Sequence, residues 1–220
     1  MTKTYNELIK LKTFDERFEY LKLSGLVGEE TFGYDRILKH NGCVLFNVSY
    51  SSENTTLIWN LISDIQRDTT FKVADCIIWK KKSAIPNNVS PNKLTRICEF
   101  VFVLARKEEL TTFSMNKPID SISKKGQTIY KNVFNFIEAP NNDEVCALNK
   151  ATFSTLFVRK LLLMYAKQGS IIYDSFMGTG TTAIGAIKEK MLFIGSELSK
   201  KQCEYANKRI KNEELKLTLF

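Results

Sequence analysis

The stretch from Ser170 to Glu197 constrains the fold more than any other part of the chain. It reads SIIYD, SFMGTG, TTAIGAIKEK, MLFIGSE. An apolar run ends at an acid, a glycine turn follows, small and apolar residues come next, and a second apolar run ends at another acid. The pattern predicts strand, tight turn, helix, strand, within a largely parallel sheet. Gly178 and Gly180 let the backbone turn sharply and approach a ligand without Cβ atoms in the way. A helix starting at Thr181 leaves unsatisfied N–H groups facing that turn. Glu197 closes the second strand, where a carboxylate can accept hydrogen bonds from both hydroxyls of a ribose. Two phosphate loops are disfavoured: Ala183 stands where a dinucleotide fingerprint has its third glycine, and no GxxxxGK[ST] run exists. A lone GxG is often a plain tight turn. The whole unit, from Asp174 through Glu197, points to a ribosyl cofactor.

The rest of the chain continues the alternation of strands and helices. CVLFNVSY (43–50), FKVADCIIWKK (71–81) and CEFVFVLAR (98–106) predict strands, the last almost continuously apolar and therefore central. TTLIWNLISDIQRD (55–68) has apolar residues at helical spacing, and FSTLFVRKLLLMYAKQG (153–169) predicts a helix stopped by Gly169. SKKQCEYANKRIKNEEL (199–215) predicts a last helix. KSAIPNNVSPNK (82–93) reads as a loop, and 107–148 as a long, polar, irregular region of the kind that often carries function. The expectation is an α/β domain.

Charge narrows the partners. Residues 1–38 hold six basic and seven acidic side chains, whereas 67–107 hold nine basic and three acidic, including Lys80-Lys81-Lys82. A polyanion explains that bias, and a solvated lysine-rich surface explains it equally well. The five cysteines form no CxxC pair and His40 is the single histidine, which argues against zinc and against a disulfide framework. Cys43, Cys76 and Cys98 lie in apolar runs and read as small hydrophobes. Trp59 and Trp79 have core-like spacing, and His40 reads as a surface turn residue. No apolar run is long enough for a membrane span and the N-terminus has no secretory pattern, so a cytoplasmic protein is expected.

At this point the residues reach a family. DSFMGTGTTAIGAIKEKMLFIGSELSKKQCEYANKRI resembles the S-adenosylmethionine-binding segment of DNA amino-methyltransferases, which methylate adenine N6 or cytosine N4. It departs at Ser175, where the family usually has proline. LNKATFSTLFVRKLL resembles the segment before that loop, with Asn149 and Ser154 in place of a histidine and a proline. RICEFVFVLARK, ADCIIWKKKSAIPNN and LKHNGCVLFNVSY resemble further family segments, so the likeness covers roughly 38–210. It implies a Rossmann-like methyltransferase fold of the permuted (beta-type) subclass over 38–220, with the cofactor portion at 149–210. Asp174, Phe176, Gly178, Gly180 and Thr181 would surround the methionine and sulfonium end of the cofactor, Glu197 would bind the ribose, and Thr152 and Phe153 would line it from the other side. Segment 82–93 and the stretch 107–148 would face double-stranded DNA, with Lys80, Lys81, Lys82, Asn87, Asn88 and Lys93 as contacts. A cognate restriction endonuclease and a second copy of the chain are further candidate partners.

The family's catalytic signature is a polar residue followed by Pro-Pro and an aromatic. The polar group and a backbone carbonyl accept the hydrogens of the exocyclic amine, and the aromatic stacks on a flipped base. This chain has four prolines, at 86, 91, 118 and 140, and no two are adjacent. In the permuted order the signature belongs within 1–38 and is not found there; NVSY (47–50) mimics its spacing but belongs to the next strand. The catalytic residues are therefore unassigned. Residues 1–37 read as an atypical helical segment, similar to leader segments of phage-type endonuclease proteins. Three readings stay open: an N6/N4 DNA methyltransferase, a remnant that keeps cofactor and DNA surfaces without the chemistry, and a methyltransferase for RNA or a small molecule.

Overall fold

The computed structural model describes residues 34–50, 55–84, 86–143, 146–149 and 152–218. The segment 1–37, expected to be helical, lies outside the described residues except for its last turn, helix α1 (Tyr34–Ile37). The chain divides into two compact units: 1–77 with 99–114, and 78–98 with 115–220.

In the first unit, β1 (Val44–Val48) pairs antiparallel with β3 (Cys98–Arg106), and β3 lies between β1 and β2 (Phe71–Lys81). The interior place expected for β3 is thus observed, and Val101 through Ala105 are all buried. Helix α2 (Leu57–Asp68) turns Ile58, Leu61, Ile62 and Ile65 inward at i, i+3, i+4 and i+7. These pack with Val48, Phe71, Phe102 and Leu104. Each such side chain contributes about 1.5–3 kcal/mol on full burial. Trp59 is half exposed and meets Phe100 and Phe102 edge-on, at ring-centroid separations of 5.5 and 6.0 Å, so it packs as expected but on the rim rather than inside.

Arg106 closes this unit. Its guanidinium donates to Asp35 Oδ1 at 2.5 Å and to the carbonyls of Asp35, Leu38 and Lys39, which satisfies the C-terminal end of α1. A short 3₁₀ turn (Lys107–Glu109) brings Glu109 beneath the exposed His40 ring, whose Nδ1 lies 2.5 Å from Glu109 Oε1. Burial alone raises the Glu109 carboxyl. The Asn41 backbone N–H, Arg106 and His40 outweigh it and hold the group below the ordinary glutamate value.

In the second unit the end of β2 pairs in parallel with β6 (Phe136–Ala139), from Ile78↔Phe136 to Lys81↔Ala139. Trp79 is buried here, stacked on Phe157 at 4.1 Å, with its indole N–H donating to the Ala139 carbonyl at 3.4 Å. β4 (Ile119–Ile122) and β5 (Thr128–Tyr130) form an antiparallel hairpin. The stretch 107–148, expected to be irregular, therefore carries three strands. They are short and mostly exposed, so no apolar period announced them. The mixed sheet arrangement tempers the largely parallel expectation: β2–β6 and the pair β7 (Ile171–Asp174) and β8 (Leu192–Gly195) are parallel, β1–β3 and β4–β5 antiparallel.

Helix α3 (Thr155–Tyr165) packs against helix α4 (Thr181–Lys188), and α4 packs against helix α5 (Lys200–Thr218). The α3–α4 approach is close because Gly185 has no side chain: a Cβ there would lie 2.6 Å from Val158 Cγ1. Both ends of α3 are finished by side chains. Ser154 Oγ accepts from the Phe157 N–H, and the Asp143 carboxylate accepts from the Thr155 N–H and hydroxyl. At the other end Asn116 donates to the carbonyls of Leu163 and Ala166. The helix thus stops at Tyr165; Gly169 sits in the following turn at φ +77°, donating to the Lys190 carbonyl at 2.9 Å. Among the described residues, no helix is long and apolar enough to cross a membrane.

Candidate functional site

The unit read first in the sequence forms as expected. β7 (Ile171–Asp174) and β8 (Leu192–Gly195) run parallel, in register from Ile171↔Leu192 to Asp174↔Gly195, and α4 connects them. The loop between β7 and α4 turns twice through left-handed backbone, at Gly178 (φ +53°) and Gly180 (φ +82°). The first position faces Asn149 and Gln202, whose side chains hydrogen-bond to each other at 3.2 Å. The second lies against Ala206 of α5, where a Cβ would come within 3.0 Å of the Ala206 Cβ.

Two carboxylates hold this loop from its two ends. Asp174 accepts from the Phe176 N–H at 3.0 Å and from the Thr182 hydroxyl at 2.6 Å. Glu197 accepts from the Gly178 N–H at 2.9 Å and from the Ser199 N–H at 2.8 Å. A carboxylate has about four acceptor sites, so after these bonds two remain on Glu197, one on each oxygen. Glu197 is partly exposed. It therefore stands oriented by backbone donors, with acceptor capacity for two neighbouring hydroxyls. That is the requirement for holding a ribose, and it fits the cofactor which the sequence resemblance implies.

Phe176, within the loop, is largely exposed, at 63%, and Leu198, next to Glu197 in the chain, is exposed as well. Thr181 and Gly180 are buried. Arg209 of α5 donates to the Thr179 carbonyl at 2.8 Å, and its guanidinium approaches Asp143 at 3.9 Å. The Asp143–Arg209 pair thus links the glycine loop to the start of α3. Arg209 falls in register with the family pattern at the end of the segment that carries the resemblance, but its pairing with Asp143 was not signalled by spacing, because the two lie far apart in the chain. Thr182 and Ser199, by contrast, lie two positions after Gly180 and Glu197, within the segment read first in the sequence.

Thr152 and Phe153 precede α3, and Phe153 meets Phe157 edge-on at 6.0 Å. With Thr181 they line a cavity of about 520 Å3 among α3, α4 and α5, which also takes in Tyr205, Arg209 and Asn212. Asp174, Phe176, Gly178, Gly180 and Glu197 do not line it. The expected cofactor residues therefore fall in two groups: the loop and Glu197 at the strand ends, and Thr152, Phe153 and Thr181 on the helical side.

The expected DNA contacts lie at the end of β2 and in the loop after it. Lys80 is paired with Glu138 at 2.9 Å, which holds that carboxyl below the ordinary glutamate value. Lys81 lies over the Trp79 ring at 5.2 Å, and Lys82 is exposed. Asn87 braces its own loop, its N–H donating to Thr95 Oγ1 and its amide to the Lys93 carbonyl. Asn88 and Lys93 are exposed. Asn141 ties the loop base by exchanging hydrogen bonds with the Ser83 backbone at 2.8 and 3.4 Å. Lys82 also acts electrostatically on Glu138, so that one carboxylate offsets part of the positive charge of the Lys80–Lys82 run.

A family model described as "DNA methylase", for N6 and N4 methyltransferases, matches residues 1–208, a span that includes 1–37. The chain is similar to the orphan methyltransferase M.BamHII of Bacillus amyloliquefaciens, 27% identical over 66% of this chain and 65% of that protein. It is also similar to the type II methyltransferase M.Cfr9I of Citrobacter freundii, 27% identical over 71% of this chain and 50% of the relative. The chain thus spans between half and two thirds of the length of these two curated relatives. Among solved structures, the fold matches the PvuII cytosine-N4-specific DNA methyltransferase at a TM-score of 0.65, with 13% identity over 90% of this chain and 76% of that one. It matches the complex of M1.HpyAVI with SAM at a TM-score of 0.61, with 23% identity over 80% of this chain and 78% of that one.

Proposed function

Because the chain belongs to the N6/N4 DNA methylase family, we propose that it transfers a methyl group from S-adenosylmethionine to an exocyclic amine of double-stranded DNA, adenine N6 or cytosine N4. The observation that carries this reading is Glu197, oriented by the Gly178 and Ser199 amides beside a loop with two left-handed glycines. S-adenosylmethionine supplies a methyl group on a positively charged sulfur, open to attack by an amine lone pair. The chain's residues bind and place it. Glu197 accepts from the ribose hydroxyls, the backbone around Gly178–Gly180 allows close approach, and Phe176 offers an apolar face. Asp174 keeps the loop in shape through the Phe176 N–H and the Thr182 hydroxyl. Thr152, Phe153 and Thr181 border the site from the helical side. In this reading the segments follow the permuted order, and the group that accepts the amine's hydrogens lies outside the segments assigned above.

Lys80, Lys81, Lys82, Asn87, Asn88 and Lys93 form one edge of the DNA surface in the same reading. A cognate restriction endonuclease and a homodimer are partners it also accommodates. The relatives carry methyltransferase names, which favours transfer over a remnant that only binds. The test is incorporation of tritiated methyl from S-adenosylmethionine into unmethylated duplex DNA, followed by nucleoside analysis. N6-methyladenine or N4-methylcytosine is the expected product. Cofactor binding without any incorporation refutes transfer and leaves the remnant reading.

A further inference from the structure

The glycines that let the β7–α4 loop approach a ligand also leave it without a preferred shape of its own. Side chains from outside the loop impose one. Asp174 and Glu197 grip it from the strand ends, through the Phe176 and Gly178 N–H groups. Arg209 grips it from α5. Its Nη1 donates to the Thr179 carbonyl at 2.8 Å and lies 3.5 Å from Thr179 Oγ1 and 3.4 Å from Thr181 Oγ1.

Thr179 stands between the two left-handed glycines. Its carbonyl shares a peptide plane with the Gly180 N–H, so fixing one aims the other. That N–H donates to the Met177 carbonyl at 2.8 Å, which closes the turn. Thr179 is 2% exposed, so its carbonyl without this donor would carry a desolvation cost.

The same guanidinium is oriented from the start of α3. Its Nη2 lies 3.9 Å from Asp143 Oδ2, and both oxygens of that carboxylate accept from the Thr155 N–H, at 2.9 and 3.0 Å. Thr155 closely follows Thr152 and Phe153 in the chain. Asp143, Thr155, Thr179 and Arg209 line the cavity that Thr152 and Phe153 also line. One network therefore reaches both groups of expected cofactor residues, the glycine loop and the segment before α3.

We propose that Arg209, oriented by Asp143, is a positioning residue for the cofactor, which sets the Thr179 peptide so that the glycine loop is held in its binding shape before the ligand arrives. The inference rests on the reading of the loop and Glu197 as the S-adenosylmethionine site. It adds a residue that acts on affinity through the loop backbone. A loop already ordered spends none of the binding free energy on being ordered. The partly exposed ion pair contributes little stability by itself, and its part is to keep the guanidinium over the loop.

The test is titration calorimetry of the full chain with S-adenosylmethionine, at a temperature where thermal melts show every variant folded. Arg209→Met should weaken binding about fivefold or more, the ratio that loss of one ordinary hydrogen bond produces. Arg209→Lys keeps a donor for the Thr179 carbonyl but loses the planar fork, so its affinity should fall between the methionine variant and the parent. Asp143→Asn should weaken binding in the same sense and by less, and adding it to Arg209→Met should bring no further loss. Lowered melting temperatures with parental affinity would mean a purely structural role and overturn the proposal. A double variant whose loss is the product of the two single losses would overturn the pairing. Parental affinity in Arg209→Met beside a loss in Glu197→Ala refutes the positioning role and leaves the cofactor reading standing. Absence of binding by the unaltered chain overturns both.

Discussion

Replacing Gly180 with alanine tests the architecture of the glycine loop in one step. Its φ of +82° lies in the left-handed region, where a Cβ costs about 1–2 kcal/mol. The new Cβ also falls 3.0 Å from the Ala206 Cβ, on a helix whose own packing against α4 resists displacement. Crowding of that kind costs about 1–3 kcal/mol. Restriction of the unfolded chain returns about 0.4–1 kcal/mol. The sum is a loss of about 1–4.5 kcal/mol, centred near 3, or several degrees in Tm for a chain of this length. Gly169→Ala is the control, because it shares the strain at φ +77° but has nothing within 4 Å of the added atom. Its net loss should stay near 1 kcal/mol or below. Urea unfolding of the two variants reads the difference directly. Equal losses for Gly180→Ala and Gly169→Ala would refute the claim that α5 presses on the loop.

Three further outcomes are expected. Arg209→Met removes the donor to the Thr179 carbonyl and the partner of Asp143, so it should cost about 1–2 kcal/mol in urea unfolding; unchanged stability would show that the link carries nothing. Glu109→Gln should destabilise the chain at neutral pH. The Glu109 pKa is lowered on folding, so its stabilisation is complete above the ordinary glutamate value and disappears as pH falls through the folded one; the gap between variant and parent in urea midpoints should close on acidification. Burial pushes the Cys43 thiol up to about 12, leaving about one thiolate in ten thousand at pH 8. Iodoacetamide labelling followed by peptide mass spectrometry should find Cys43 unmodified in the native protein and modified once the chain is unfolded in urea.

The parts of the fold that were legible in the sequence are those with long, regular apolar patterns. β2 and β3 begin and end at Phe71–Lys81 and Cys98–Arg106, the bounds of their apolar runs. The α2 face of Ile58, Leu61, Ile62 and Ile65 follows its 3.6-residue period. β4 and β5 were illegible because a strand that buries nothing has no reason to alternate. β6 alternates, with Ile137 and Ala139 inward, but over too few residues to stand out beside Pro140 and Asn141. In the site, Glu197 and the glycine turn were readable because strand ends and left-handed turns restrict residue type. The meeting of Asp143 with Arg209 was not, because it depends on how α3 and α5 pack rather than on any local rule. Ser154 shows the reverse: a departure from the family pattern that the structure explains as the N-cap of α3.

The central claim is that the loop and Glu197 hold S-adenosylmethionine, and titration calorimetry of the chain with that cofactor tests it most directly. The account predicts saturable binding in the micromolar range, lost or weakened at least tenfold by Glu197→Ala, with Glu197→Gln intermediate. Absence of binding by the unaltered chain, or equal binding by Glu197→Ala, would contradict it.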